Sequence, residues 1–281
     1  MKKFFLLYLI LAVFLIWSAV FYFEAHQNLL VTFFDVGQGD STFIEAPNGS
    51  QVLIDGGPGN EVLAKLGKEL PFWDRSLDLL VLTHAHADHV GGLLEVLKRY
   101  SVGAVLESGE AYSTPEYQEW HRLIKEKNIP VLIAQRGQVV YIGKEIKLDV
   151  LSPFENYNSI SLKNPHDANV STRLVFGKTS ALLMGDAEKS TEYRLMEENS
   201  AELKSDVLKV GHHGSKTSSS EEFLKAVSSQ WAVIQVGRNN RYGHPTQEVL
   251  DRLTATRAKI FRTDLDRDIS FTSNGYFFIK N

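Results

Sequence analysis

The sequence predicts an α/β domain, with two sheets covered by helices on their outer faces, preceded by one apolar N-terminal helix. Two observations indicate this architecture: an unbroken apolar run near the N-terminus, and an alternation of short strand and helix patterns from residue 29 onward. The 281 residues are 43% hydrophobic and 23% charged, values of an ordinary globular protein that exclude a disordered or collagen-like chain.

The N-terminal run predicts a membrane anchor. Residues 4–23 contain only one clearly polar side chain, Ser18. A helix of this length, at about 1.5 Å per residue, spans the roughly 30 Å hydrocarbon core. A cleaved signal peptide is the alternative, but its apolar region is usually about 7–15 residues and ends in small residues, whereas Phe23 and Glu24 stand here. A buried core helix is a further alternative.

Flanking charges predict the orientation of this anchor. Lys2 and Lys3 precede the apolar run, whereas Glu24 is the only charged residue between the run and Asp35. By the positive-inside rule we expect a single-pass protein of the cell membrane with an extracytoplasmic domain. The predicted segments are a cytoplasmic N-terminus at 1–3, the anchor at 4–23, a juxtamembrane segment at 24–28 and the domain at 29–281.

Strand and helix patterns alternate through the domain, and turn residues separate them. Pro-Asn-Gly-Ser at 47–50 and Gly-Lys-Thr at 177–179 are typical of hairpin turns. The predicted strands are 29–36, 42–46, 51–54, 79–82, 131–134, 139–142, 146–151, 171–176, 181–184, 207–210, 232–236, 259–262, 269–271 and 276–279. The predicted helices are 89–100, 117–127, 187–197, 219–227 and 246–254. Without repeats or an internal linker, the pattern favours one layered α/β domain.

The chain contains no cysteine and nine histidines. The absence of cysteine excludes a disulfide scaffold, a thiolate zinc site, a cysteine nucleophile and an iron–sulfur cluster. Any bound metal must therefore be held by histidines and carboxylates. A net charge of −4 excludes a generally polycationic nucleic-acid coat, although it permits a local basic groove.

A dense group of metal-ligating residues directly follows the predicted strand 79–82. The string THAHADH at 83–89 supplies His84, His86, Asp88 and His89. Two histidines two residues apart at a strand end can face one metal, while the carboxylate and the last histidine turn toward a second position. Three N/O ligands plus water is the pattern of catalytic zinc. The alternatives are a surface histidine cluster or buried structural histidines. Two glycines at 91–92 are expected to let the helix that follows the string pack closely against its neighbours.

The string resembles the metallo-β-lactamase superfamily of hydrolases, and the resemblance continues along the chain. Asp55, in VLIDGG, is similar to the family's first-motif aspartate, which orients the metal loop. Asp186, in LLMGD, is similar to the carboxylate that bridges both metals. His212 and His213, in VGHHGS, are similar to the late histidine motif; one is expected to ligate the second metal and the other to face substrate. The resemblance implies a four-layer αββα sandwich.

One departure concerns the third histidine that the superfamily usually supplies to the first metal. Alignment on the predicted strand 171–176 puts Asn169 or Ser171 at this position, so we expect one metal site to be weak. His166 is a further candidate ligand, with a solvated loop histidine as the alternative.

This departure is common in the ComEC-type competence proteins. Residues 29–280 resemble the hydrolase domain of those proteins. The segment DVGQGDS at 35–41 adds Asp35, Gln38 and Asp40 as supporting residues, and YGHP at 242–245 adds His244. Thr246 stands where that branch has a second histidine. We expect no multi-helix channel and no OB-like domain in these 281 residues.

The resemblance implies hydrolysis by a metal-activated hydroxide held by two divalent ions, Zn or Mn. Asp88 is expected to orient or deprotonate the water. The non-ligating member of the pair His212 and His213, together with His244, is expected to stabilise developing charge or protonate the leaving group. A loop histidine held by Pro245 is the alternative for His244.

Basic residues concentrate beside the late motifs. Residues 201–281 contain 12 Lys+Arg and 9 Asp+Glu, against 18 and 25 in residues 1–200. Ser215, Lys216 and Arg241 are candidates for substrate binding, and a solvated surface is the alternative. Aromatic residues at 112, 117, 120 and 242 are candidates for base stacking, with ordinary packing as the alternative.

The sequence therefore predicts a membrane-anchored phosphodiesterase or nuclease that acts on extracytoplasmic DNA. The alternatives are a hydrolase of another ester or amide class (a phosphorylcholine-type esterase, a lactonase or a β-lactamase) and a non-catalytic surface binding module. The partners implied are the membrane and a phosphodiester substrate. The sequence predicts no oligomeric state.

Overall fold

The structure, a computed structural model, describes residue 4 and residues 8–17 and 28–281. Residues 8–17 are α-helical (α1). Among the described residues, no helix is both long enough and apolar enough to cross a membrane. Much of the expected anchor at 4–23, with the segments expected at 1–3 and 24–28, lies outside the described residues, so the anchor stays a prediction.

Fifteen strands of the described chain form two sheets. They are β1 (Leu29–Phe33), β2 (Thr42–Glu45), β3 (Gln51–Ile54), β4 (Ser76–Val81), β5 (Ser101–Glu107), β6 (Val131–Ile133), β7 (Val139–Ile142), β8 (Ile146–Val150), β9 (Thr172–Phe176), β10 (Thr179–Leu183), β11 (Val207–Lys209), β12 (Trp231–Ile234), β13 (Lys259–Arg262), β14 (Ile269–Ser273) and β15 (Phe278–Lys280). The order is β15-β14-β1-β2-β3-β4-β5-β6 in one sheet and β13-β12-β11-β10-β9-β8-β7 in the other.

Helices cover the outer face of each sheet. The helices are α2 (Glu61–Glu69), α3 (Ala87–Arg99), α4 (Pro115–Glu126), α5 (Lys189–Asn199), α6 (Glu221–Val227), α7 (Gln247–Ala255) and the short α8 (Thr263–Asp266). Apolar side chains of α2, α3 and α4 pack on the eight-stranded sheet, and those of α5, α6 and α7 pack on the seven-stranded sheet. A third core joins the inner faces of the two sheets. The predicted four-layer αββα sandwich is therefore confirmed.

Parallel strands in the middle of each sheet determine where polar loops meet. β3, β4, β5 and β6 are mutually parallel, and so are β10, β11, β12 and β13. The loops that leave the carboxyl ends of parallel strands lie at one edge of a sheet, which is the usual binding edge of α/β proteins. Asp55, the THAHADH string, Asp186 and the His212-His213 pair all follow such strand ends.

Three regular elements were not predicted: helix α2, strand β5 and the short helix α8. Helix α2 buries Val62 and Leu66, and this one-turn spacing is present in the sequence, but Gly59 and Gly67 weaken the helical signal. Strand β5 contains Gly103, and glycine is depleted in strands. A Cβ at Gly103 would lie 2.7 Å from the backbone oxygen of Asp78, so the close approach of β4 explains this glycine.

The glycine pair of α3 confirms the expected close approach of that helix. A Cβ at Gly92 would lie 1.9 Å from the carbonyl oxygen of Gly56, and one at Gly91 would lie 2.4 Å from that of Pro58. The amide of Gly92 also donates to the Gly57 carbonyl, at 2.8 Å. The first turns of α3 thus lie directly on the loop after β3, which holds the metal-ligating string in place.

Substitution Gly92→Ala should lower the free energy of unfolding by about 3 kcal/mol, since overpacking against backbone is poorly relieved. Gly67→Ala is the matched control in α2, where a Cβ would contact nothing within 4 Å. It should leave stability unchanged or raise it by up to about 1 kcal/mol. Urea denaturation followed by tryptophan fluorescence measures both changes. Equal stability of the two variants would contradict the close approach.

Candidate metal centre

The predicted ligands come from loops at the ends of three strands. The THAHADH string follows β4 and runs into the first turn of α3, with His86 at the N-cap. Asp186 follows β10, and the His212-His213 pair follows β11. The fold therefore brings together residues that are more than 100 positions apart in the sequence.

The carboxylate of Asp186 lies between the histidines of both sheets. Its Oδ2 is 3.8 Å from Nε2 of His84, 3.5 Å from Nε2 of His89 and 3.5 Å from Nε2 of His213. The Nε2 atom of His212 is 3.7 Å from the same oxygen. This central place is the one that a carboxylate shared between two metal positions would occupy.

Two groups of donor atoms flank this carboxylate. On one side, Nε2 of His84 lies 2.9 Å from Nδ1 of His86. On the other side, donor atoms of Asp88, His89 and His213 all lie within 4.8 Å of one another, and His213 Nε2 is 3.4 Å from Asp88 Oδ2. The string 83–89 therefore divides as its spacing predicts. His84 and His86 form one group of donor atoms, and Asp88 and His89 belong to the other.

The donor atoms fit a divalent metal ion. The Nε2 atoms of His89 and His213 and Oδ1 of Asp186 are buried and have no hydrogen-bond partner within the described part of the chain. Buried polar atoms are normally paired, so these unpaired nitrogen and oxygen atoms fit the binding of a cation. Imidazole nitrogens and carboxylate oxygens are the ligands of zinc and of similar ions.

The structure distinguishes the two histidines of the late motif. Nδ1 of His213 donates to the carbonyl of Gln235 at 2.9 Å, which leaves Nε2 free to bind a metal beside Asp88. Nδ1 of His212 instead contacts the Thr217 hydroxyl at 3.1 Å, and its side chain is 22% exposed. His213 thus belongs to the group of Asp88 and His89, while His212 faces the open side.

Asp55 connects the metal loop to the end of β3. Its carboxylate accepts from the Thr83 amide at 2.9 Å, from the Thr83 hydroxyl at 2.7 Å and from Nδ1 of His89 at 2.7 Å. With Nδ1 protonated, Nε2 of His89 points at Asp186. Burial opposes protonation of His89, but the carboxylates of Asp186 and Asp55 raise its pKa well above the ordinary value.

Lys209, which the sequence did not single out, is a buried cation behind the centre. Its ammonium group contacts the carboxylate of Asp40, donates to the Gly185 carbonyl at 2.8 Å and lies 4.0 Å from Asp186 Oδ1. Asp40 also lies 3.2 Å from Nδ1 of His213. Burial favours a neutral Asp40, but Lys209 and His213 hold its pKa below the ordinary value. A lysine inside the apolar strand VLKV is the signal that would have identified it.

Asn169 and Ser171 support the loop that carries Asp186. The Asn169 side chain donates to the Ser171 hydroxyl at 2.9 Å and to the Met184 carbonyl at 2.8 Å, and accepts from the Asp186 amide at 2.8 Å. The Ser171 hydroxyl also donates to Met184, at 3.1 Å. Both side chains are therefore committed to this loop.

A cavity of about 180 Å³ opens over the centre. Gln38, His86, Asp88, His166, Asp186, His212, His213, Tyr242 and His244 line it. Gln38 also accepts from the Gly237 amide at 3.1 Å. The His244 ring lies 6.0 Å from that of His212 and stacks on Tyr242 at 5.9 Å. His244 is thus placed at the mouth of the cavity.

The other predicted residues lie farther from the donor atoms. Arg241 and Lys216 are exposed, and Arg241 donates to the Tyr242 hydroxyl at 2.9 Å. Ser215 is buried, and its hydroxyl contacts Thr217 at 3.1 Å. Asp35 lies in a turn, where its carboxylate accepts from the Gly37 amide at 3.4 Å.

Substitution Asp55→Ala should weaken metal binding by about 10- to 100-fold, because His89 loses the partner that orients it. Asp251→Ala, at an exposed position of helix α7, is the matched control and should bind metal like the native protein. Metal content after dialysis against graded concentrations of free zinc measures the effect. Native metal content in Asp55→Ala at every concentration would contradict this role.

Two known bacterial proteins are similar to most of this chain. ComE operon protein 3 of Bacillus subtilis (strain 168) is 35% identical over 261 residues, which are 86% of this chain and 32% of that protein. Competence protein ComA of Neisseria gonorrhoeae is 34% identical over 245 residues, which are 86% of this chain and 32% of that protein. The chain thus spans about a third of the length of these relatives.

Solved structures with the same fold are more distant in sequence. Igni18, a metallo hydrolase from Ignicoccus hospitalis, superposes with a TM-score of 0.58 at 17% identity and covers 87% of this chain and 98% of its own. This likeness concerns the fold alone. The family profile of the metallo-beta-lactamase superfamily matches residues 34–238. This range begins directly after β1 and ends in the loop after β12. The chain belongs to the metallo-beta-lactamase superfamily of metal-dependent hydrolases.

Proposed function

We propose that this protein is a membrane-anchored phosphodiesterase that acts as a nuclease on extracytoplasmic DNA, with two divalent ions, Zn or Mn. The observation that carries the proposal is the Asp186 carboxylate between two donor groups, under a cavity with basic and aromatic residues at its mouth. When bound, such ions act as Lewis acids on a phosphoryl oxygen and lower the pKa of water.

Asp88 is the residue best placed to accept a proton from water. Its side chain is 29% exposed and lines the cavity. Burial raises the pKa of Asp88, but the hydrogen bond and charge of His213 and the charge of His89 hold it well below the ordinary range. The carboxylate is therefore ionised at neutral pH and able to orient water.

The side chains opposite Asp88 can serve the leaving group. His212 lines the cavity, and its ring contacts the Thr217 hydroxyl through Nδ1. His244 lies one ring farther out. In this arrangement His212 donates a proton to the leaving oxygen, and His244 stabilises its developing charge.

Features of the cavity mouth support a nucleic-acid substrate. Arg241 is exposed and stacks on Tyr242, whose side chain is 53% exposed, and Tyr112 lies on the other side with its ring 5.9 Å from His86. Arginines bind phosphates, and exposed tyrosines stack on bases. Tyr117 and Trp120 are buried among core residues of the α4 layer, so they serve packing instead.

The relatives support the same substrate class. One of them is named a competence protein, and competence is the uptake of DNA. This chain spans about a third of these relatives, so the proposal concerns the hydrolase domain alone.

Purified full-length protein loaded with Zn²⁺ or Mn²⁺ should cleave labelled single-stranded DNA and bis-p-nitrophenyl phosphate. His86→Ala and Asp88→Ala should each lower kcat/KM for both by at least about 100-fold, since each removes several kcal/mol of transition-state stabilisation. His121→Ala is the matched control, because its side chain is 45% exposed and lies outside the donor groups.

Other outcomes of this assay would favour the alternatives. Turnover of a β-lactam, a lactone or a phosphorylcholine ester without cleavage of the diesters would contradict the nuclease proposal. It would indicate a hydrolase of another class. Metal binding without turnover of any of these compounds would indicate a binding module.

The proposed topology is tested on intact cells that produce the full chain. Added protease should degrade the hydrolase domain, because the two N-terminal lysines keep only the N-terminus in the cytoplasm. A cytoplasmic protein of the same cells should stay intact until lysis. Protection of the domain in intact cells and its degradation after lysis would place it in the cytoplasm.

A further inference from the structure

His166 lies inside the metal centre, although it precedes the aligned third-ligand position by three residues. Its ring centroid is 5.1 Å from that of His84, 4.9 Å from that of His86 and 4.5 Å from that of His212. Donor atoms of His84, His86 and His166 all lie within 4.8 Å of one another. This spacing is that of three ligands around one ion.

A short turn carries the ring into this position. Residues Pro165–Ala168 form one 3-10 turn, and the Asn164 side chain accepts from the His166 amide at 3.3 Å where the turn begins. The proline at the first position of the turn supplies a backbone angle suited to a helical start. The turn closes where the Asn169 amide donates to the His166 carbonyl at 3.2 Å.

The imidazole of His166 is ready to bind a cation. Its Nδ1 is buried and has no hydrogen-bond partner in the described ranges of the chain. A buried, unpaired nitrogen beside the donor atoms of His84 and His86 is an available ligand atom.

Asn169 already supports the Asp186 loop through both ends of its side-chain amide. Its amide nitrogen donates to a hydroxyl and to the Met184 carbonyl, and its oxygen accepts from the Asp186 amide. These backbone partners determine the orientation of the amide group. The structure therefore gives Asn169 a supporting role toward the loop that positions Asp186.

We infer that His166, with His84 and His86, completes the first metal position, and that Asn169 holds the Asp186 loop in place of ligation. The inference rests on the proposed two-metal centre. The first position then has three nitrogen ligands beside the shared carboxylate. On this inference the turn upstream supplies the third ligand, whereas the sequence predicts a weak site because Asn169 or Ser171 stands at the aligned position.

The test is metal stoichiometry in the purified full-length protein equilibrated with buffered free zinc, measured by elemental analysis. His166→Ala should lose one of two bound metal equivalents, as His84→Ala should, whereas Asn169→Ala should keep both ions at reduced affinity. His121→Ala is the matched control with native metal content. Circular dichroism establishes that each variant is folded.

A spectrum separates ligation from indirect effects. In the cobalt-substituted protein, His166→Ala should remove or shift the visible absorption of the first position and leave that of the second unchanged. In an Asp88→Ala background, which retains only the first position, His166→Ala should abolish cobalt binding. Two metal equivalents and an unchanged cobalt spectrum in His166→Ala would overturn the inference. Absence of metal from the native protein would instead overturn the proposed function itself.

Discussion

Burial of the Asp186 carboxylate is the constraint on which the rest of the centre depends. An ionised carboxylate away from water is costly unless it is paired, and four histidine rings from both halves of the sandwich approach this one. Burial raises the pKa of Asp186, but His213, His89 and His84 hold it well below the ordinary value. Lys209 adds a cation from behind. The loops after β4, β10 and β11 therefore meet around one charge.

The two sides of this carboxylate differ in their chemistry. His89 and His213 lie against the carboxylates of Asp55, Asp40 and Asp88. The opposite side, with His84 and His86, is rich in histidine and poor in carboxylates. Burial lowers the pKa of both histidines on this side, so they are neutral donors. The centre thus combines a nitrogen-rich position with one in which oxygen and nitrogen donors are mixed.

Support of the ligands extends outward into the core. Asp55 joins the histidine string to β3, Asn169 joins the Asp186 loop to β9 and β10, and Gln235 joins His213 to β12. Each contact links a ligand to the end of a buried strand. The positions of the ligand side chains therefore depend on the packing of the two sheets. The loop contacts near the ligands connect each ligand to that packing.

Local patterns in the sequence were sufficient for most of the fold and for the two densest motifs. Strand alternation, hairpin turns and amphipathic helices depend on neighbours within a few residues, so the layered architecture and the metal-ligating string were predictable. Helix α2 and strand β5 were missed because glycines weaken their local signal, although tertiary packing stabilises both elements.

The sequence by itself determined which residue types are available to hold a metal, because a chain with no cysteine must use histidine and carboxylate. Only the tertiary structure placed His213 beside Asp88, brought in Lys209, bonded Asn169 to the Asp186 loop and brought His166 toward the donor atoms. The physical reason is that these choices depend on side-chain direction and on partners far away in the chain. Neither is encoded in the spacing of a motif.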